Sequence, residues 1–215
     1  MLAIFYSLTS WIDKKKSNVD SVKRLFAYVL DWIIGGVCTS ILGIVIFTLV
    51  SKIENIEGQS FADLYMFPAL GLSDCYAYIT GLVCVCAATF YYIYIPYKCD
   101  GQTIGKKIMG LRIVTIENTS LTLTQYFKRQ FLGLFIIEGS AVLCGAYIQQ
   151  VLVISTLNLF KDYFSLPNLL SSVAIVITMI SAVLAFNTPS QRSVHDYLAK
   201  TKVVNIEDLY KIKKG

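Results

Sequence analysis

Charge is what this sequence has least of. Only 15% of its 215 residues are Asp, Glu, Lys or Arg, where a soluble domain carries about 25%. With 55% hydrophobic residues and a mean hydropathy of +0.60, the whole chain is membrane-like, and its net charge of +5 does not point to nucleic acid. Histidine occurs once, as His195. The closest cysteines, Cys84 and Cys86, lack the CxxC spacing of a redox pair or a zinc half-site. No metal site and no cofactor are therefore expected. HExxH, GxSxG and a phosphate loop are all missing, so enzyme chemistry is not expected either. His195 next to Asp196 reads as a surface or packing residue. No cleavable signal is read in Met1–Ile12, which lacks a basic n-region and runs into Asp13 and three lysines. Residues 1–20 read as an interfacial stretch or a loose tail.

What the chain has is apolar length. Leu25–Val50, Ala77–Ile95, Phe131–Leu157 and Leu169–Phe186 each suffice for a bilayer core, which takes about 17–25 helical residues. The cations divide unevenly around them. Seventeen of the nineteen Lys and Arg fall before the first run, between the second and third, or after the fourth, leaving only Lys52 and Lys161 elsewhere. The positive-inside rule makes that side the cytoplasm. The expected architecture is an all-α membrane protein with four transmembrane helices, both termini cytoplasmic, in the cell inner membrane. Residues 21–204 form the membrane domain and 205–215 a polar C-terminal tail. The outer loop is expected to let Met66–Leu70 dip into the interface.

Asp31 stands inside the first run, where a carboxylate costs about 2.5–3.5 kcal/mol on insertion scales and is a functional-site candidate by default. Arg24 lies seven residues earlier, two helical turns away on the same face. That stripe continues through Ala27, Tyr28, Gly35, Cys38 and Thr39, while Val29, Ile33, Val37 and Ile44 make an opposite face suited to lipid. Two readings follow: an ion carrier tuned by Arg24, or an Arg24–Asp31 pair that fixes helix packing. Glu138 is the carboxylate of the third run, on a face continued by Ala141, Gly145 and Gln149; it either joins Asp31, snorkels, or pairs with Lys128 or Arg129.

Between the second and third runs, Gly101, Gln102, Gly105, Lys106 and Gly110 make a basic, glycine-broken segment. Its glycine spacing fails the phosphate-loop pattern, and it is expected to lie on anionic headgroups. Leu111–Ile116 and Leu121–Thr124 read as a cytoplasmic hairpin around Glu117–Ser120. After the fourth run, Gln191–Ala199 reads as amphipathic, with Arg192 and Asp196 spaced to pair at i,i+4.

Three segments together resemble the RDD family of membrane proteins: Arg24-Leu25-Phe26-Ala27 through Asp31, Gly101–Val114, and Arg192…His195-Asp196…Ala199…Val204. The family is named for one arginine and two aspartates, which the resemblance places at Arg24, Asp31 and Asp196. It implies transport, cation/proton antiport in some members, and an assembly role in a related domain. The expected function is a small transporter for a monovalent cation, protons or a small solute. The alternative is a scaffold that binds anionic lipid and a membrane partner protein. Small-residue faces at Gly35/Gly36/Gly43 and Gly139/Gly145 suit helix association, including a homo-oligomer.

Overall fold

A computed structural model describes residues 17, 19–51, 63–139, 143–159 and 166–209. The stretch Met1–Ile12, the final residues of the polar tail, Ala141 and parts of both outer loops lie outside the described residues.

Helix α1, Ser21–Ser51, is 31 residues long, or about 46 Å at 1.5 Å per residue. Its sequence sorts by fours. Ala27, Asp31, Gly35, Thr39, Gly43 and Phe47 are buried, while Val29, Ile33, Val37, Ile41, Val45 and Leu49 are exposed. Small residues meet protein and branched ones face outward, as the two-stripe reading expects, although Tyr28 and Cys38 also face out. Helix α2, Asp74–Thr89, starts at Ser73, which caps the Cys75 amide. It continues through a π-helical segment, Phe90–Tyr94, to Lys98. Among the described residues, Ser21–Ser51 and Asp74–Lys98 are long and apolar enough to cross a membrane.

The third apolar run is not one helix. It divides into a π-helical segment, Phe127–Ile137, which ends at Glu138 and Gly139, and a separate helix from Leu143. Gly139 has φ +41, and a Cβ on Gly145 would fall 2.1 Å from the Gly139 carbonyl oxygen. Gly139 and Gly145 thus lie close together where an unbroken helix was expected.

The segment between α2 and that run also departs from expectation. Helix α3, Ile104–Ile108, leads through Gly110 into β1, Leu111–Thr115. The turn at Glu117–Ser120 forms, closed by the Thr115 amide on the Thr119 carbonyl. The chain then enters helix α4, Leu123–Tyr126, because Thr122 and Gln125 form a reciprocal capping box. The expected hairpin strand at Leu121–Thr124 is therefore absent.

Helices α5, Leu143–Leu159, and α6, Leu166–Asn187, are followed by the short α7, Val194–Ala199. Strand β2, Thr201–Asn205, is the real partner of β1, antiparallel with Leu111 opposite Asn205 and Thr115 opposite Thr201. A two-stranded sheet thus ties the tail to the middle of the chain.

An apolar core lies at one end, formed by Phe47, Leu64, Phe67, Ala77, Cys84, Tyr147 and Ile154. Phe67 is 1% exposed and meets Phe47 edge to face at 5.2 Å. Phe67 of the Met66–Leu70 patch is turned inward, leaving Pro68, Ala69 and Leu70 exposed. At the other end, the interior is charged.

Candidate functional site

Asp31 is 2% exposed and surrounded by donors. Lys106 Nζ lies 2.7 Å from its Oδ2, which also accepts from the Thr103 hydroxyl. Its Oδ1 accepts from the Gly105 amide and the Tyr91 hydroxyl, each at 2.9 Å. Gly105 is required by this approach, since a Cβ there would sit 2.5 Å from the Ala27 carbonyl oxygen and 2.8 Å from Asp31 Oδ1. Gly101 makes the turn that delivers α3: its φ is +85, and a Cβ would come 2.3 Å from the Ile113 carbonyl oxygen. Gln102 donates to the Leu111 carbonyl and steadies the same turn. The glycine-broken segment therefore turns inward to neutralise a buried carboxylate instead of lying on headgroups with all its cations. Burial pushes the Lys106 ammonium down, against the opposing pull of Asp31.

Arg24 does not pair with Asp31. It reaches Asp196, with Nη2 at 2.5 Å from Oδ2, and donates to the Gln191 carbonyl. Asp196 is fully buried and accepts from Arg129 as well, at 3.0 Å from Nε and 2.8 Å from Nη2. Ser193 and Thr201 hydroxyls complete its shell. Burial raises the Asp196 carboxyl, but Arg129 and Arg24 outweigh it and hold the group well below the usual carboxylate range. Arg192, the expected i,i+4 partner, instead donates to the Asp196 and Thr201 carbonyls and lies over the Tyr197 ring. The tail is thus clamped to α1 and to the third apolar run by one carboxylate.

Glu138, 3% exposed, neither snorkels nor pairs with Lys128 or Arg129. Its Oε1 lies 2.8 Å from His195 Nδ1 and accepts from Ser181 at 2.7 Å. The other nitrogen of His195 meets the Ser193 hydroxyl at 2.8 Å. His195 is therefore a buried link between Glu138 and the Asp196 cluster, not a surface residue.

These three groups share one cavity of about 180 Å³, lined by Arg24, Asp31, Lys106, Arg129, Glu138 and His195 among other residues. The lining and Asp196 together hold three carboxylates and three permanent cations. Arg129 as a ligand of Asp196, and Thr103 and Tyr91 as ligands of Asp31, were not anticipated from sequence. Only the position of Arg129 at the mouth of an apolar run hinted at its role. Among the described residues, no group of three or more His, Cys, Asp and Glu is placed to hold a metal.

The chain is mostly helical, with two helices of membrane-spanning length beside a buried, charge-balanced layer. The RDD family model matches residues 19–200, and the chain belongs to that family of membrane proteins. No curated protein and no solved structure matches it.

Proposed function

We propose that this protein is a small, non-enzymatic transporter that exchanges a monovalent cation for a proton. It would have four spans and both termini in the cytoplasm of an inner-membrane setting, with anionic lipid around its basic side. The observation that carries this reading is the Glu138–His195 contact on the cavity wall. Asp31 and Asp196 each face permanent cations, whereas the partner of Glu138 is an imidazole, which can itself take or release a proton. Glu138 and His195 thus form the exchangeable pair, and the two other acids hold the frame. Asp31 keeps its place in the site, with Lys106 in the role first expected of Arg24.

Reconstituted in vesicles with a trapped pH dye, the wild-type chain is expected to move protons when a cation gradient is imposed. Vesicles that behave like protein-free ones would contradict the proposal.

The topology has its own probes. Cys75 and Cys99 are both exposed and lie at opposite ends of the second membrane-length helix. With the other cysteines replaced by serine or alanine, an impermeant maleimide is expected to label Cys75 on intact cells and Cys99 only after lysis. The reverse order would overturn the orientation.

A specific observation favours the scaffold alternative as well: Asp31 and Asp196 bolt cytoplasmic segments to the spans through fully matched pairs. A partner-binding platform needs that rigidity too. It does not need an imidazole–carboxylate pair beside a cavity.

A further inference from the structure

The cavity wall carries polar groups that the ion pairs leave unused. Gln130 is 2% exposed and lines the cavity, yet its side-chain amide makes no hydrogen bond among the described residues. The side-chain hydrogen bonds on Glu138 both fall on Oε1, and the His195 backbone amide adds a further donor to this carboxylate. An amide with its full donor and acceptor capacity on a cavity wall marks a place for a ligand.

The remaining lining says what kind. Leu25, Leu134, Ala182 and Ala185 make it apolar, and Tyr28, Trp32, Tyr92 and Phe186 add aromatic rings. Tyr28, Trp32 and Phe186 are also partly exposed on the outside of the molecule, on α1 and α6, so the cavity reaches the outer face between those helices. A bare metal ion needs a shell of about six oxygens. Here the oxygens without a side-chain partner among the named groups are Glu138 Oε2 and the Gln130 amide oxygen. An anion would find Arg24 and Arg129 engaged on Asp196 and Lys106 engaged on Asp31.

Pairing narrows the choice: Arg24 and Arg129 are engaged on Asp196 and Lys106 on Asp31, which leaves Glu138 as the named carboxylate without a Lys or Arg partner. We propose that the cavity binds an organic monocation with an apolar or aromatic body, its ammonium against Glu138 and its polar edge on Gln130. This names the substrate class for the exchange reading and rests on it. Aromatic walls suit such cations, which quaternary ammonium sites recognise through ring faces. The charged and titratable groups facing Glu138 are His195, Arg24 and Tyr28, and those facing His195 are Glu138 and Asp196.

Trp32 is a built-in reporter, because Trp11 is the only other tryptophan. The Trp11→Phe protein in lipid nanodiscs, titrated with tyramine, whose ammonium can meet Glu138 and whose phenol can meet Gln130, is expected to show a saturable change in Trp32 emission. Binding should weaken as pH falls, because on the exchange reading the ligand displaces a proton. Glu138→Gln should weaken it by about tenfold or more. Gln130→Leu, which keeps the bulk and removes the amide, should weaken it several-fold with an unchanged melting temperature, and it carries the test if Glu138→Gln fails to fold. Saturation by phenylacetate in place of the ammonium, equal displacement by sodium, or undiminished binding in the Gln130→Leu protein would overturn the inference. Ammonium binding without proton movement in vesicles would contradict the exchange reading alone. Sodium-driven proton movement without ammonium binding would contradict only the inference.

Discussion

Asp196→Asn is expected to destabilise the chain more than any other single exchange of a carboxylate for its amide. The carboxylate is fully buried between Arg24 and Arg129. Removing one member of a buried ionic group leaves the others uncompensated, at a cost of about 3–5 kcal/mol. Two guanidinium groups would be left facing an amide that offers one acceptor oxygen. Thermal unfolding in detergent should show a large drop for Asp196→Asn and almost none for Glu117→Gln, whose side chain is exposed. The sign of the pH dependence follows from the depressed Asp196 carboxyl. Its stabilisation is fully present above the unfolded value, about 3.9 for an aspartate, and is lost as pH falls through the lower folded value. The wild type should therefore lose stability on acidification below about pH 4, and Asp196→Asn should lack that component. Equal acid sensitivity in both would show that the cluster contributes nothing there.

The second large effect separates Lys106 from Arg24 as the partner of Asp31. Asp31→Asn and Lys106→Met should each cost several kcal/mol, on the order of 3–5, since either leaves a buried group without its counter-charge. The double variant should recover much of the loss, because removing both members of a buried pair is often close to neutral. Asp31→Asn combined with Arg24→Met should instead add to within about 0.5 kcal/mol, as expected for residues without a shared partner. Recovery in the Arg24 combination and none in the Lys106 combination would restore the pairing that helical spacing suggested.

That contrast shows where the sequence was legible. The two faces of α1 could be read because a long helix repeats its pattern every 3.6 residues, and Ala27, Asp31, Gly35 and Thr39 all turn inward. Partner choice could not be read. Arg24 and Asp31 share a face of α1, but both are claimed by groups distant in sequence, Asp196 and Lys106. Local spacing says which side chains can meet, and tertiary contacts decide which do. The strand at Leu111–Thr115 was visible from its β-branched residues, whereas its pairing with Thr201–Asn205 joins segments far apart in the chain and leaves no short-range mark. The capping box at Thr122 was a local signal, and it overrode the apparent alternation at Leu121–Thr124. His195 misled because a single histidine near a helix end usually meets water, while here Gly133 lets it approach closely: a Cβ on Gly133 would lie 2.5 Å from its Cβ.

The central claim is that Glu138, with His195, carries the exchanged proton. Proton flux driven by a cation gradient, measured in vesicles containing Glu138→Gln protein whose melting temperature and elution match the wild type, tests it most directly. The account predicts that the variant does not exceed the protein-free rate. Wild-type flux from a folded Glu138→Gln protein would contradict it.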